Sequence, residues 1–327
     1  MEKHTIHCEI ITPMFSSGAD RNKDELRAPE LKALVRYVYR IASKTIKPKE
    51  LYEQETRLFG NAEHHASPIR LQVIDKGLAK RNKALLLHKS SKEVECFSEG
   101  GAFDIVLRKF LSKGEDLQFY QNLIVLSLIL GGLGKRSRRG RGCFVMADSG
   151  EYTPYLTLPN LLPWITEQLN LMNGQAANSE HRTYVFEQGK IIVHPKAKVH
   201  WNQYTRPVIE EIRLGQPIPK TESFLRKVDI ASHKIKSTYP SERNLFATGY
   251  AGKGRLASSL LVSVTRTSDG QLLPIYTFVK AVVNNRNNNQ TFDIDHEERN
   301  TMISFIEGGL NEYYIVFVYN WPGEILY

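Results

Sequence analysis

The chain has 327 residues, 41% of them apolar, which is enough for real cores and excludes global disorder. By length it accommodates about two domains. Lys and Arg number 44 against 35 Asp and Glu, a formal charge of +9 that favours a polyanionic partner, nucleic acid first and a membrane surface second.

Cys8, Cys96 and Cys143 are widely spaced and odd in number, so they fit neither a disulfide framework nor a C-x-x-C metal pattern. The first residues, MEKHTIHCEI, lack the apolar core of a signal peptide. The longest apolar run, residues 123–130 with Ser127 inside it, falls far short of the roughly 20 residues a membrane span needs. These features predict a cytoplasmic, reducing location and no membrane partner.

Residues 4–11 are rich in β-branched side chains and end at Pro13 and an SSGAD loop, which predicts a strand. A helix follows over 27–43: Pro29 suits its first turn, and Leu31, Leu34, Val35, Val38 and Ala42 recur at helical spacing. Lys32, Arg36 and Arg40 form a basic stripe on another face. Residues 69–75, 84–88 and 103–110 read as strands, and 116–130 as a buried helix because of its length. Gly131 and Gly132 stop that helix, and RGCFVMA returns as a strand. Strand, helix, strands, helix, strand is the split βαβ order of ferredoxin-like domains, shared with RNA-recognition modules.

Residues 148–182, rich in Pro, Asn, Gly and Ser, mark the expected boundary between a domain of residues 1–150 and one of 151–327. One helix is expected near NLLPWITEQLNLM. Beyond it TYVFEQGKIIVH reads as strand-like and QYTRPVIEEIRLG as a short helix. Residues 256–280 form a hairpin around the Asp269-Gly270 turn. NNRNNNQ (284–290) lacks core residues and predicts a mobile loop; HEERNTMISFIEGGL predicts a helix and EYYIVFVY a last strand. The expected class is α+β, with two ferredoxin-like (RRM-like) domains and a glycine-rich basic loop.

That loop is GGLGKRSRRGRG, in which Lys135, Arg136, Arg138, Arg139 and Arg141 crowd between two apolar elements. It fails the Walker pattern, because Arg136 follows Gly134-Lys135 and a helix precedes it where a P-loop needs a strand. Five like charges repel unless a polyanion neutralises them, and glycines let backbone N–H groups reach phosphates. RNA or DNA backbone is therefore the expected ligand of a flexible loop. GYAGKGRL, with Lys253 and Arg255, offers a second cationic glycine segment. Phe15, Tyr37 and Tyr39 are candidate base-stacking platforms, with core packing as the alternative use of an aromatic ring. No H-E-x-x-H, no zinc-spaced Cys/His cluster and no G-x-S-x-G elbow occurs. Asp20 and Asp24 precede the basic helix, where a carboxylate can serve RNA cleavage or simply the helix macrodipole.

The order of three motifs resembles the RAMP superfamily of CRISPR proteins, most strongly the first-subunit family of the type III-B (Cmr) effector complex. They are TPMFSSGADRNKDELRAPELKALVRYVYR, the Glu-x-x-x-Phe-Gly element ETRLFG (55–60) and the loop GGLGKRSRRGRG; GRLASSLLVSV adds a match in the second half. Lys32-Ala33 departs from the family's Lys-Gly, and Tyr37 and Tyr39 stand where that helix often ends Trp-rich. The resemblance implies antiviral defence, two ferredoxin-like domains, assembly with other Cmr subunits, and binding near the crRNA 3′ portion and the target RNA. It implies a subunit that does not cleave, without cofactor or metal, with Arg27 joining the stripe, the loop and Lys253 and Arg255 in RNA binding. The rival within the superfamily is an endoribonuclease using Asp20 or Asp24.

Overall fold

The computed structural model describes residues 2–18, 20, 24–63, 65–89, 92–111, 115–175, 182–197, 201–238, 248–251, 255–280, 282–285, 288–291 and 296–308. In chain order the first half runs β1 (Lys3–Ile10), α1 (Ala28–Ala42), α2 (Pro48–Phe59), β2 (Ile69–Asp75), β3 (Lys80–Ala84), β4 (Glu93–Phe97), β5 (Ala102–Lys109), α3 (Leu117–Leu130) and β6 (Phe144–Met146). Alternation along β1 buries Ile6, Cys8 and Ile10 and turns Thr5 and His7 outward, as a half-buried strand requires. β1 pairs antiparallel with β5 and with β6, and β5 with β2, giving the order β2-β5-β1-β6. With α1 and α3 packed in the same core as the inward residues of that sheet, this is the ferredoxin-like arrangement. The β3–β4 hairpin is an insertion between its second and third strands.

The second half adds α4 (Leu161–Leu171), β7 (Tyr184–Glu187), β8 (Lys190–Val193), β9 (Ile209–Leu214), α5 (Thr221–Thr238), β10 (Tyr250–Ala251), β11 (Arg255–Leu256), β12 (Leu260–Arg266), β13 (Leu272–Val279), β14 (Val282–Asn285), β15 (Asn288–Thr291) and α6 (His296–Glu307). Its antiparallel sheet has the order β12-β13-β9-β8-β7. The β12–β13 hairpin turns at Asp269-Gly270 as expected, with Gly270 at φ +88°.

From Leu123 to Leu130 α3 is apolar on nearly every side and buried on every side. Asp116 caps it, accepting from the Phe119 N–H at 2.7 Å. It packs on α1 and β5 of the first sheet and on β12 and β13 of the second. The Ser263 hydroxyl on β12 donates to the Ile129 carbonyl at 2.6 Å. Leu261 joins this shared core, while Leu260, Val262 and Val264 face a second core with Phe224, Leu225 and Val228 of α5 and Met302 and Ile306 of α6.

Four expectations change. Residues 209–214 form a strand, not a helix, because pairing with β13 and β8 overrides the helical preference of its glutamates. The strand expected at 84–88 ends at Ala84, where pairing with Glu93 ends. Part of NNRNNNQ lies in the β14–β15 ladder, which runs from Val282↔Thr291 to Asn285↔Asn288; backbone pairing there needs no core side chain. Helices α2 and α5 are additions that the apolar spacing does not announce. The strand expected at EYYIVFVY lies outside the described residues.

Candidate nucleic-acid interface

The glycine-rich loop is not a flexible flap. Its backbone N–H groups are committed inside the protein: Gly134 donates to Glu30 Oε1 (2.8 Å), Lys135 to the Phe15 carbonyl (2.9 Å) and Gly142 to the Pro13 carbonyl (2.9 Å). Gly140 donates to the Val262 carbonyl (2.8 Å), and the Val262 N–H returns a bond to the Arg138 carbonyl (3.2 Å). The loop thus joins β12 as an edge segment, through a parallel bridge between Arg139 and Val262. Glycine is needed at Gly142 for two reasons. Its φ is +68°, and a Cβ there would lie 1.8 Å from the Leu133 carbonyl oxygen. The expectation of loop N–H groups free for phosphates is corrected at Gly134, Lys135, Gly140 and Gly142, since pairing with buried carbonyls and a carboxylate is what holds the loop in place.

Its five basic side chains divide by burial. Arg141 is 1% exposed and forks onto Asp229 of α5, with Nη1–Oδ1 3.1 Å and Nη2–Oδ2 2.6 Å. Arg136 is half-buried and reaches the same carboxylate at 2.7 Å. Arg139 is buried and donates to the Leu260 carbonyl at 3.1 Å. Arg139 and Arg141 therefore serve the interior, where a guanidinium must find acceptors. Arg138 donates to the Ser258 carbonyl (3.0 Å) and stacks over Tyr37, 4.8 Å from its centroid. Lys135 is exposed. Burial, then the neighbouring Arg136 and Arg138, lowers the Arg139 pKa to about 9, so it still carries its charge at neutral pH.

Asp229 is the organiser that no sequence motif marks. Burial pushes its carboxyl up, but the Arg141 fork, the Leu87 N–H at 2.8 Å and Arg136 outweigh it and hold the group below the ordinary carboxylate range. Leu87 belongs to the tip between β3 and β4, so an insertion of the first half docks on a helix of the second. Arg226 of α5 donates to the Leu87 carbonyl at 3.0 Å, and His88 stacks on His233 with centroids 5.0 Å apart. Loop, tip and α5 enclose a cleft of about 480 Å³ lined by Arg136, Arg138, Lys89, His88, His233, Ser232, Thr248 and Ser258.

On α1, Lys32, Arg36 and Arg40 do share a face, but Glu55 of α2 takes two of them. Glu55, 4% exposed, accepts from Arg36 Nε and, at 2.7 and 3.0 Å, from Arg40. Lys32 is half-buried, and burial followed by the Arg36 charge lowers its ammonium. Arg27 stands at the N-cap of α1, 3.8 Å from Glu25. The Glu-x-x-x-Phe-Gly element thereby has a physical reading: Glu55 clamps the stripe, Phe59 packs edge-on against Tyr39 and Tyr120, and Gly60 turns at φ +71°.

Phe15 and Tyr39 are 3% and 5% exposed, so core packing claims them and they present no face to a base. Tyr37 is half-buried with Arg138 over its ring. Stripe and loop are therefore two ion-pair systems, around Glu55 and Asp229, that meet at the Tyr37–Arg138 contact. Lys253 lies outside the described residues, as does the side chain of Arg255, whose backbone belongs to β11.

Asp20 is exposed, whereas Asp24 is bridged to Ser17. Burial, then Glu95, raises the Asp24 carboxyl against the opposing Lys80 and Lys135. Asp104 is paired with His7 at 2.7 Å instead of joining Asp24. Among the described residues no three His, Cys, Asp or Glu side chains gather to hold a metal ion, and no helix is long and apolar enough to cross a membrane.

Residues 7–145 match the model of the RAMP superfamily. No curated protein matches the chain in sequence. In fold it is similar to the apo crystal structure of Cmr1 from Pyrococcus furiosus, with 17% identity, 95% of this chain and 97% of that chain covered, and a TM-score of 0.55. It is also similar to a chain in each of two cryo-EM structures of type III-B Cmr-beta bound to cognate target RNA. The one with AMPPnP and ssDNA has 10% identity, 95% and 99% coverage and a TM-score of 0.56. The other has 11% identity, the same coverage and a TM-score of 0.55. The match to the RAMP superfamily model thus spans residues 7–145, and nearly the whole chain shares the fold of Cmr1.

Proposed function

We propose that this chain is a non-catalytic RNA-binding subunit of a type III-B (Cmr) effector complex. It would hold RNA near the crRNA 3′ portion and the target RNA, in contact with other Cmr subunits. The observation that carries this reading is the cleft between the β3–β4 tip, the glycine-rich loop and α5. Cations outnumber acids among the described residues that line it: Lys89, Arg136, Arg138 and the buried Arg139 stand with Asp229, which Arg141 pairs from behind. Such an excess in a concave site focuses field and attracts a polyanion. The relatives of the same fold within Cmr-beta assemblies bound to target RNA support the same assignment. In this reading Lys32, Lys135 and Arg27 extend the track along α1, and Lys253 and Arg255 extend it across the second half, with the two domains meeting near residue 150.

The test is salt-titrated binding of single-stranded RNA. Each lost phosphate contact removes about 0.7 from the slope of log affinity against log salt. Lys89→Ala with Arg138→Ala should flatten the slope by about twice that amount. An unchanged slope would remove the cleft from the RNA path.

A further inference from the structure

Two polar atoms of the cleft are unexplained by the protein alone. His88 Nδ1 and Arg136 Nε are buried, and neither has a hydrogen-bond partner among the described residues. Buried polar groups in folded proteins are paired almost without exception, so two orphans lining one cleft point to an absent acceptor. Both belong to cationic or protonatable groups, and the acceptor that satisfies such a pair is an oxyanion. The cleft also holds Arg138 and Lys89, whose charges no carboxylate among its described residues answers, because Asp229 is occupied by Arg141, Arg136 and the Leu87 N–H.

Resting on the RNA reading above, we infer that this cleft is a proton-coupled phosphate site, in which His88, stacked on His233, takes up a proton when a phosphate oxyanion binds beside Arg136. The two imidazoles stack 5.0 Å apart at 24°, so protonating either one places a cation against its neighbour and against the arginine. The charged and titratable groups facing His88 are Asp229 and His233 on α5, Arg136 on the loop and Lys89 on its own segment. Burial first, with the charges of Lys89 and Arg136 beside it, holds His88 below its usual range, while Asp229 opposes them. A bound oxyanion reverses that balance by adding negative charge where the cations converge. Binding thereby draws in a proton and strengthens as pH falls from 8 to 6.

Calorimetric titration of the full chain in two buffers of different ionisation heat counts the protons. Two probes are used: inorganic sulfate, a tetrahedral anion that does not titrate between pH 6 and 8, and single-stranded RNA, whose phosphodiesters do not titrate there either. The expected result is uptake of up to one proton with each probe and an affinity that falls by up to about tenfold per pH unit above the imidazole range. His88→Gln with His233→Gln should abolish the uptake and sulfate binding, and should make RNA binding independent of pH. His233→Gln alone, at an exposed position, should reduce the uptake and keeps the test readable if the double variant fails to fold. RNA binding with no proton uptake by the wild-type protein would overturn the site and leave the RNA reading standing. Sulfate binding with proton uptake but no RNA binding would support the site and overturn the RNA reading.

Discussion

Asp229 shows how one carboxylate can fix a cationic loop. It is fully buried, and Arg141 beside it is 1% exposed. Removing one partner of such a pair leaves an uncompensated charge inside the protein. Asp229→Ala should therefore cost about 3–5 kcal/mol in denaturant unfolding, through the stranded Arg141. The sign of its pH dependence follows from its lowered carboxyl. The group is depressed below its unfolded value of about 3.9, so its contribution is complete above that pH and lost as pH falls through the folded value. Urea unfolding from about pH 5 down to about pH 2 should show this acid-side loss in the native protein and less of it in Asp229→Asn. Asp24 makes the opposite case. Its raised carboxyl lies among Glu95, Lys80 and Lys135, with neither a His nor a second Asp among those charges. Single-stranded RNA incubated with the protein and magnesium or manganese should stay intact; cleavage that disappears in Asp24→Ala would restore the nuclease reading.

At the scale of elements, the glycine-rich loop is a structural clasp whose chemistry depends on backbone shape. Gly142 and Gly174 share φ +68°, but a Cβ at Gly142 would meet the Leu133 carbonyl at 1.8 Å and one at Gly174 would meet nothing within 4 Å. Gly174→Ala should cost only the left-handed backbone term, about 1–2 kcal/mol. Gly142→Ala should cost clearly more, because the loop must also move off Leu133, and thermal unfolding of the two variants measures the difference. The α1–α2 pair depends on Glu55 in a similar way. Glu55→Ala should cost about 1.5–3 kcal/mol as the charged hydrogen bonds to Arg36 and Arg40 are lost. Solvent around Arg40, 46% exposed, keeps the effect below that expected for Asp229.

Across the whole molecule the two sheets are not independent. α3 is covered by both, Arg266 on β12 forks onto Glu9 on β1 at 3.2 and 2.8 Å, and the loop after α3 pairs with β12. Separating the halves would expose an apolar helix to water. Heat or denaturant should therefore unfold both in one transition, with equal calorimetric and van't Hoff enthalpies. Two separated transitions would show that each half carries its own core. The same coupling ties the cleft to the fold, since it takes one wall from an insertion of the first half and another from α5 of the second.

Sequence pattern alone determined the first sheet, because β1, β5 and α3 are strongly patterned and their order admits few topologies. It also located α1, the β12–β13 hairpin, and the loop where the basic residues gather. Local pattern misread β9, whose Glu210 and Glu211 suit a helix until β13 and β8 pair with that segment. Nor could it divide the five basic residues of the loop. Arg138 and Lys135 differ from Arg139 and Arg141 only in what lies across from them, and that is supplied by residues about 90 to 120 positions away. Asp229, His88 and His233 carry no motif because their neighbours are set by the docking of the β3–β4 tip on α5. The sequence determined that a cationic loop would exist between two apolar elements. Tertiary structure decided which of its charges turn inward and which stay near the surface, since burial forces a guanidinium onto an internal acceptor.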